Sequence, residues 1–341
     1  MKTYGFGIIG CGIISKWHLT AIRNLENTKL VGVYDKALDR ADAFAKENDC
    51  QAFPTLEEML ACPDVDIICI CTPSGLHADA AVAAANAGKH IVVEKPMAIT
   101  REQLASIVEA VERNGVQLTS ICQLRLSKSA QKIKKAIADG VFGRLLIGDV
   151  YMKYYRSPEY YASAGWRGTW SMDGGGVLMN QGIHGIDLLQ YFMGPVKSVS
   201  AICRTMDRDI EVEDTAVATV EYANGAVGII EGTTCMNPGR PCRIEVCGTK
   251  GSFVLTMDKI TQWIVDGEEI PIEDEEETNS NAAHDPTAFD ADLHTAQFAD
   301  FLKALDTNTR PSIDVFEGKR SVDVILSIYE SSASGKTVTI D

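Results

Sequence analysis

Positive charge is scarce in this chain: 32 Lys and Arg residues stand against 47 Asp and Glu, a formal net charge of −15 over 341 residues. Nucleic acid and anionic membrane surfaces both require a basic footprint, so neither is expected as a partner. A small anionic ligand remains open, because local arginines decide that. Long apolar runs are missing too, and none approaches the ~18 residues that would suggest a membrane span. Met1-Lys2-Thr3 leads straight into the first apolar run without the layout of a signal peptide, so a cytoplasmic protein is expected. The ten cysteines lack metal-binding spacing. Cys69 and Cys71 suit a strand face and not a zinc knuckle, so reduced thiols and no metal are expected. No internal repeat or low-complexity segment is visible. With 45% apolar and 23% charged residues, the chain reads as globular and long enough for about two domains.

What is present is organised around Tyr4 to Trp17. The apolar run Phe6 to Ile9 meets Gly10-Cys11-Gly12-Ile13-Ile14-Ser15 and turns helical at once. Glycines there permit a tight turn and let backbone amides close on a pyrophosphate at the positive end of the following helix. A second strand, Leu30 to Tyr34, ends at Asp35, 35 − 12 = 23 residues past Gly12, where an acid should grip the ribose hydroxyls. Gly10, Gly12, Ile13, Ile14 and Asp35 are therefore expected cofactor contacts. The charge of Asp35 favours NAD over NADP, and Lys36 and Arg40 soften that preference without reversing it.

Strand and helix signals alternate as far as residue 123. Ala37 to Asn48 has helical periodicity, Thr55 with Glu58 forms a capping box, and Val65 to Cys71 is a buried strand. Ala78 to Ala87 is a helix, His90 to Val93 a strand, Thr100 with Gln103 caps a helix to Asn114, and Gln117 to Cys122 is a further strand. Such alternation predicts a doubly wound parallel sheet, a dinucleotide-binding Rossmann domain over residues 1–123. A helix over Lys128 to Asp139 follows. Then come strand signals at Leu145–Tyr155, Val196–Met206, Thr215–Tyr222, Ala226–Thr234, Arg243–Cys247, Ser252–Met257 and Thr261–Val265. They predict a second, α+β domain over 124–341 with a large, mostly antiparallel open sheet. One helix, Gly176 to Met193, interrupts it; helices Asp292–Leu305 and Glu317–Ser332 and a strand Val338–Ile340 close the chain. Glu268 to Glu277 reads as a solvated acidic loop.

Three constellations carry chemistry. Thr72-Pro73-Ser74-Gly75-Leu76-His77 ends the fourth strand at the edge where open α/β sheets bind ligands, so Thr72, Pro73 and His77 are expected at the cofactor; a capping role for His77 is equally open. Glu94-Lys95-Pro96 ends the fifth strand at the same edge. Pro96 cannot donate to the ladder, which delivers Lys95 to the ligand side, with Glu94 also at the cofactor. In Asp173 to Asp187, a glycine run leads into a helix, where the glycines are expected to let a ligand approach the backbone. There Asn180, His184 and Asp187 at i, i+4, i+7 share one face. Histidine is the commonest general base near neutral pH. Gln123, Arg125, Tyr155, Arg156, Trp166 and Arg167 are substrate-side candidates, the arginines suiting a carboxylate or phosphate.

With the GIIGCGIIS opening, CTPSGLH, EKP and GGGVLMNQGIHGIDLL in place, the chain resembles the Gfo/Idh/MocA family over nearly its whole length. The resemblance implies a nicotinamide-dependent oxidoreductase acting on a secondary hydroxyl of a sugar or sugar derivative. It also implies dimers or tetramers formed through the C-terminal sheet. It places the catalytic lysine at Lys95 and the catalytic histidine at His184; in the mechanism expected here His184 takes the hydroxyl proton or shares that task with Lys95, and Asp187 orients His184. Asn180 departs from the aspartate that the inositol-specific pattern has there, which weakens inositol as substrate. Trp166 to Trp170 with LMNQGIH is more similar to the subgroup acting on nucleotide-linked or anhydro sugars. A non-catalytic nucleotide-sensing regulator and a reductase of a non-sugar carbonyl or diol stay open.

Overall fold

The computed structural model describes residues 2–272 and 291–340. In the first unit, apolar runs form β1 (Tyr4–Ile9), β2 (Thr28–Tyr34), β3 (Gln51–Ala52), β4 (Ile67–Ile70), β5 (His90–Val93) and β6 (Leu118–Ser120). Between them lie α1 (Ser15–Arg23), α2 (Leu38–Asn48), α3 (Leu56–Ala61), α4 (His77–Asn86) and α5 (Arg101–Asn114). The Oγ1 atoms of Thr55 and Thr100 accept the N–H groups of Glu58 and Gln103, capping α3 and α5. The strands are parallel in the order β3-β2-β1-β4-β5-β6, the doubly wound arrangement with its ligand crevice at the carboxyl edge where the order reverses. Strands β1, β4 and β5 are buried on both faces, as their unbroken apolar runs require.

Residues Ala291–Lys319 belong to this first unit, whereas the sequence alone grouped them with the second domain. Their helix, α9 (Ala291–Thr307; α6 to α8 are described below), packs on α1, and Phe298 stacks on Phe6 with ring centroids 5.7 Å apart. Phe301 and Leu302 complete the same core.

The second unit runs from Leu124, with Arg320 onward returning to it. After α6 (Lys128–Ala138), its strands are β7 (Leu145–Lys153), β8 (Val196–Arg204), β9 (Thr215–Tyr222), β10 (Val227–Thr233), β11 (Arg243–Gly248), β12 (Gly251–Thr256), β13 (Lys259–Val265), β14 (Glu268–Glu269) and β15 (Val338–Thr339). They form one sheet, ordered β14-β13-β12-β11-β7-β10-β9-β8-β15 and antiparallel except where β7 meets β10. The acidic run thus begins as an edge strand; its part from Glu273 on lies outside the described residues. Two short helical elements precede α8 (Ile183–Met193): α7 (Pro158–Ala162), which the sequence reading lacked, and a π-helix over Val177–Gly182. Helix α10 (Val315–Ser334) precedes β15. α8 packs on β7 and β11, while the opposite face of the sheet leaves Ile147, Ile202, Val217 and Val227 exposed.

Candidate active site

The turn after β1 has the properties of a pyrophosphate cradle. Gly10 sits at φ +92°, and a side chain there would meet the Cys71 carbonyl oxygen at 2.8 Å. Gly12 differs, since a Cβ on it would meet nothing within 4 Å. Packing among the described residues therefore does not demand glycine there, and the backbone is left open to a ligand. Helix α1 starts with no side chain capping its first turn; Lys16 and Trp17 N–H donate to the Ile13 and Ile14 carbonyls, so it is the amides ahead of them that can meet an anion. Ile13, 65% exposed, flanks the turn as an apolar cover. Asp35 is fixed at the end of β2: Oδ2 accepts the Cys11 N–H at 2.9 Å and Oδ1 accepts the Ala37 N–H at 2.9 Å. Each carboxylate oxygen can accept a second bond, so ribose hydroxyls can still be held. Arg40 Nη1 lies 3.4 Å from Oδ2. These residues fit a dinucleotide.

His77 opens α4, and its ring tethers two loops. Nδ1 lies 2.7 Å from the Pro96 carbonyl oxygen and Nε2 lies 2.8 Å from that of Thr72. Burial pushes this imidazole down from its ordinary pKa, against the pull of both carbonyls. It is a cross-link between the loop after β4 and the loop after β5. Thr72 Oγ1 is buried and has no hydrogen-bond partner among the described residues.

Glu94 closes β5 and faces inward. Oε1 accepts from His18 Nε2 at 2.8 Å, and Oε2 accepts the Lys95 N–H at 3.1 Å. His294 Nε2 stands 3.7 Å from Oε1, outside hydrogen-bond distance. Burial pushes Glu94 up, but the hydrogen bond from His18 and the nearness of His294 hold it well below the usual carboxylate range. Burial holds His18 below its ordinary value in spite of Glu94, and its Nδ1 has no partner among the described residues. Both observations fit a neutral ring with its proton on Nε2. Two imidazoles and a carboxylate are a set that zinc accepts. Here, however, neither Nδ1 has an acceptor among the described residues to turn its ring toward a metal. Sequence reading missed this cluster, because nothing local connects positions 18, 94 and 294. Lys95 itself is half-buried at the sheet's ligand edge.

In the second unit the glycine run serves packing. A Cβ on Gly176 would lie 1.7 Å from the Glu213 carbonyl oxygen. The buried Glu213 carboxylate accepts the N–H groups of Gly176 at 2.8 Å and Leu178 at 2.9 Å, and the Tyr329 hydroxyl at 2.9 Å. Burial raises its pKa to about 7 against those three donors. The π-helix carries Asn180, so the α-helical spacing of Asn180, His184 and Asp187 holds only for the last two, which lie on α8. Asn180 Nδ2 donates to Asp173 Oδ1 at 2.7 Å. Asp187 accepts Arg125 Nε at 2.8 Å and Nη2 at 2.7 Å in a buried, bidentate pair, and Arg125 also lies over the Tyr191 ring. His184 is half-buried on the first turn of α8.

The remaining candidates gather at Tyr160, a residue not singled out from sequence. Arg167 Nη1 donates to its hydroxyl at 2.6 Å and Gln181 Nε2 at 3.1 Å. The Arg167 guanidinium lies 4.3 Å from the Tyr160 ring and 4.7 Å from that of Trp166, with Arg156 5.6 Å from Tyr160. Tyr155 lies instead under Arg208, at 5.4 Å. Gln123 is buried, with Oε1 unpartnered among the described residues.

Residues 4–121 match the oxidoreductase family with an NAD-binding Rossmann fold (GFO_IDH_MocA), and residues 130–254 match the GFO/IDH/MocA C-terminal domain. The chain is 33% identical to the WlbA dehydrogenase of Bordetella pertussis, solved with NADH and UDP-GlcNAcA. The match covers 100% of this chain and 99% of that one, with a TM-score of 0.88. The WlbA dehydrogenase of Chromobacterium violaceum, in complex with the same two molecules, is 31% identical over 100% and 97%, with a TM-score of 0.89. The 1,5-anhydro-D-fructose reductase of Ensifer adhaerens is 29% identical over 98% of each chain. The protein is a member of the Gfo/Idh/MocA family of NAD-binding oxidoreductases.

Proposed function

We propose that this NAD-dependent oxidoreductase of sugar-like hydroxyls acts on a nucleotide-linked sugar acid and uses Lys95 and His184 as its reacting groups. The observation that carries the substrate class is the cluster at Tyr160. Two guanidiniums, Arg156 and Arg167, with Tyr160 and Trp166, supply positive charge for phosphate or carboxylate and flat apolar surface for a ring. The similarity to dehydrogenases solved with UDP-GlcNAcA supports the same reading.

Bound NAD supplies the hydride acceptor. Gly10, Gly12, Ile13, Ile14 and the start of α1 would hold its pyrophosphate, and Asp35 would hold a ribose. Lys95 Nζ hydrogen-bonds the substrate oxygen and stabilises alkoxide charge as it develops, an effect typically of about 3–4 kcal/mol for one well-placed donor. A ring nitrogen of His184 takes the hydroxyl proton. Arg125, engaged by Asp187, shapes the second unit and leaves anion binding to Arg156 and Arg167.

The open face of the nine-stranded sheet, with exposed Ile147, Ile202, Val217 and Val227, is part of this reading as the surface on which copies form a dimer or tetramer. So is residence in the cytoplasm, supported by ten free thiols. Among the described residues no helix is long and apolar enough to cross a membrane.

The test compares kcat/KM for UDP-linked sugar acids, free sugar acids and neutral anhydro sugars, in wild type and in Arg167→Met. Preference for the nucleotide-linked acid, lost by about 10-fold or more in the variant, is expected from a charge-assisted contact of about 1.5–3 kcal/mol. Equal or better turnover of a neutral anhydro sugar, unaffected by Arg167→Met, would overturn the substrate class.

A further inference from the structure

We propose that Glu94, held in place by His18, is a positioning residue for Lys95. This rests on the reading of Lys95 as a reacting group and adds what fixes it. Lys95 follows a four-residue strand, and its own N–H is the last backbone donor before Pro96. That N–H goes to Glu94 Oε2, while Oε1 is taken by His18 Nε2–H. A carboxylate accepts in both directions at once; an amide of the same shape would turn N–H against one of the two donors. His18 is fixed in turn, edge-on to Phe298 at 5.3 Å and tilted against His294 at 5.9 Å. On the other side of Lys95, His77 holds the Pro96 carbonyl oxygen. The segment bearing the amine is thus tied on both flanks within the first unit, by α1 and α9 on one side and α4 on the other.

The titratable groups whose charge bears on Glu94, or is influenced by it, are His18 of α1, His294 of α9, His77 of α4, and the thiols of Cys69 and Cys71 in and just after β4. Held well below the usual carboxylate range, Glu94 meets these groups as a carboxylate that can accept both of its bonds at once.

The experiment measures kcat, KM, NADH affinity and melting temperature for His18→Leu, His18→Gln and Glu94→Gln, each in wild-type and Lys95→Met backgrounds. A displacement of about 1 Å at a reacting group costs up to about 100-fold in rate, so His18→Leu is expected to lower kcat by about 10- to 100-fold. NADH affinity should stay within about threefold. His18→Gln, whose amide N–H can reach the place of Nε2–H, should recover most of the loss. Glu94→Gln should lose turnover similarly where Lys95 is present. With Lys95→Met there is no amine to place, so His18→Leu should change the residual rate by less than about twofold.

Equal loss from His18→Leu in both backgrounds, or a His18→Gln as slow as His18→Leu, overturns the positioning role. An inactive Lys95→Met beside fully active His18→Leu and Glu94→Gln overturns it while leaving Lys95 catalytic. A Lys95→Met with near-wild-type turnover removes both ideas. If His18→Leu does not fold, Glu94→Gln measured in the two backgrounds decides: a loss confined to the background that keeps Lys95 supports the positioning role, and an equal loss in both overturns it.

Discussion

Asp187→Asn separates two roles for one carboxylate. The sequence pattern suggests that Asp187 orients His184; the structure gives both its oxygens to Arg125, with the two side chains only 3% and 5% exposed. The substitution keeps size and shape but leaves the guanidinium buried without its counter-charge. Breaking one side of a buried pair costs about 3–5 kcal/mol. For a unit of this size that is a fall of about 6–20 °C in midpoint. The assay is thermal unfolding followed by circular dichroism, with kcat/KM measured well below the transition. Arg125→Met combined with Asp187→Leu should regain most of the stability, because apolar packing of similar volume replaces a buried ion pair at little cost. The expected outcome is a large stability loss with turnover within about fivefold of wild type. A melting point barely changed, with kcat lowered by 100-fold or more, would refute the pairing as the residue's main work.

Glu213 should make stability depend on pH. Its pKa of about 7 lies above its ordinary value of 4.5, so the folded state holds this proton more tightly than the unfolded one. Its contribution is full below about 4.5 and is lost as pH rises through 7, a span of about 3 kcal/mol. Urea titrations from pH 4.5 to 8 should show a decline that Glu213→Gln flattens; an identical slope in both proteins contradicts the assignment. Gly12→Ala should leave the melting temperature unchanged, since no described atom lies within 4 Å of the added Cβ, yet weaken NADH binding by about 10-fold or more as seen by fluorescence titration. Loss of fold with no loss of affinity would show the glycine to be structural. Asp35→Ser should shift preference toward NADP; unchanged kinetics with both cofactors would refute the ribose contact.

Much of the first unit is legible in sequence because each parallel strand is a short apolar run bounded by turn residues. The strand order also follows once the glycine turn and Asp35 identify a doubly wound sheet. The antiparallel sheet is legible from strand density, but two things there are not. Residues Val177–Gly182 read as ordinary helix, whereas they form a π-helix that follows the close packing of Gly176 on Glu213 and removes Asn180 from the α-helical face. The membership of α9 in the first unit depends on Phe298 meeting Phe6, a contact with no local signature. The site divides the same way. Lys95 and His184 stand out by their neighbours in sequence, whereas His18, Glu213 and Tyr160 matter through partners far along the chain. Arg125 shows the converse: an arginine near a ligand edge invites assignment to substrate, until a buried carboxylate is found already holding it.

The central claim is hydride transfer from a sugar-like secondary hydroxyl to NAD, and it is met most directly by one absorbance measurement. Purified protein is offered NAD with polyols, sugar acids, anhydro sugars and nucleotide-linked sugar acids in turn, and the reduced-nicotinamide band is followed. Growth of that band is expected with a nucleotide-linked sugar acid, slowed when deuterium replaces hydrogen on the oxidised carbon. Saturable NAD binding with no growth of that band for any member of the panel would contradict it and leave a nucleotide-sensing regulator.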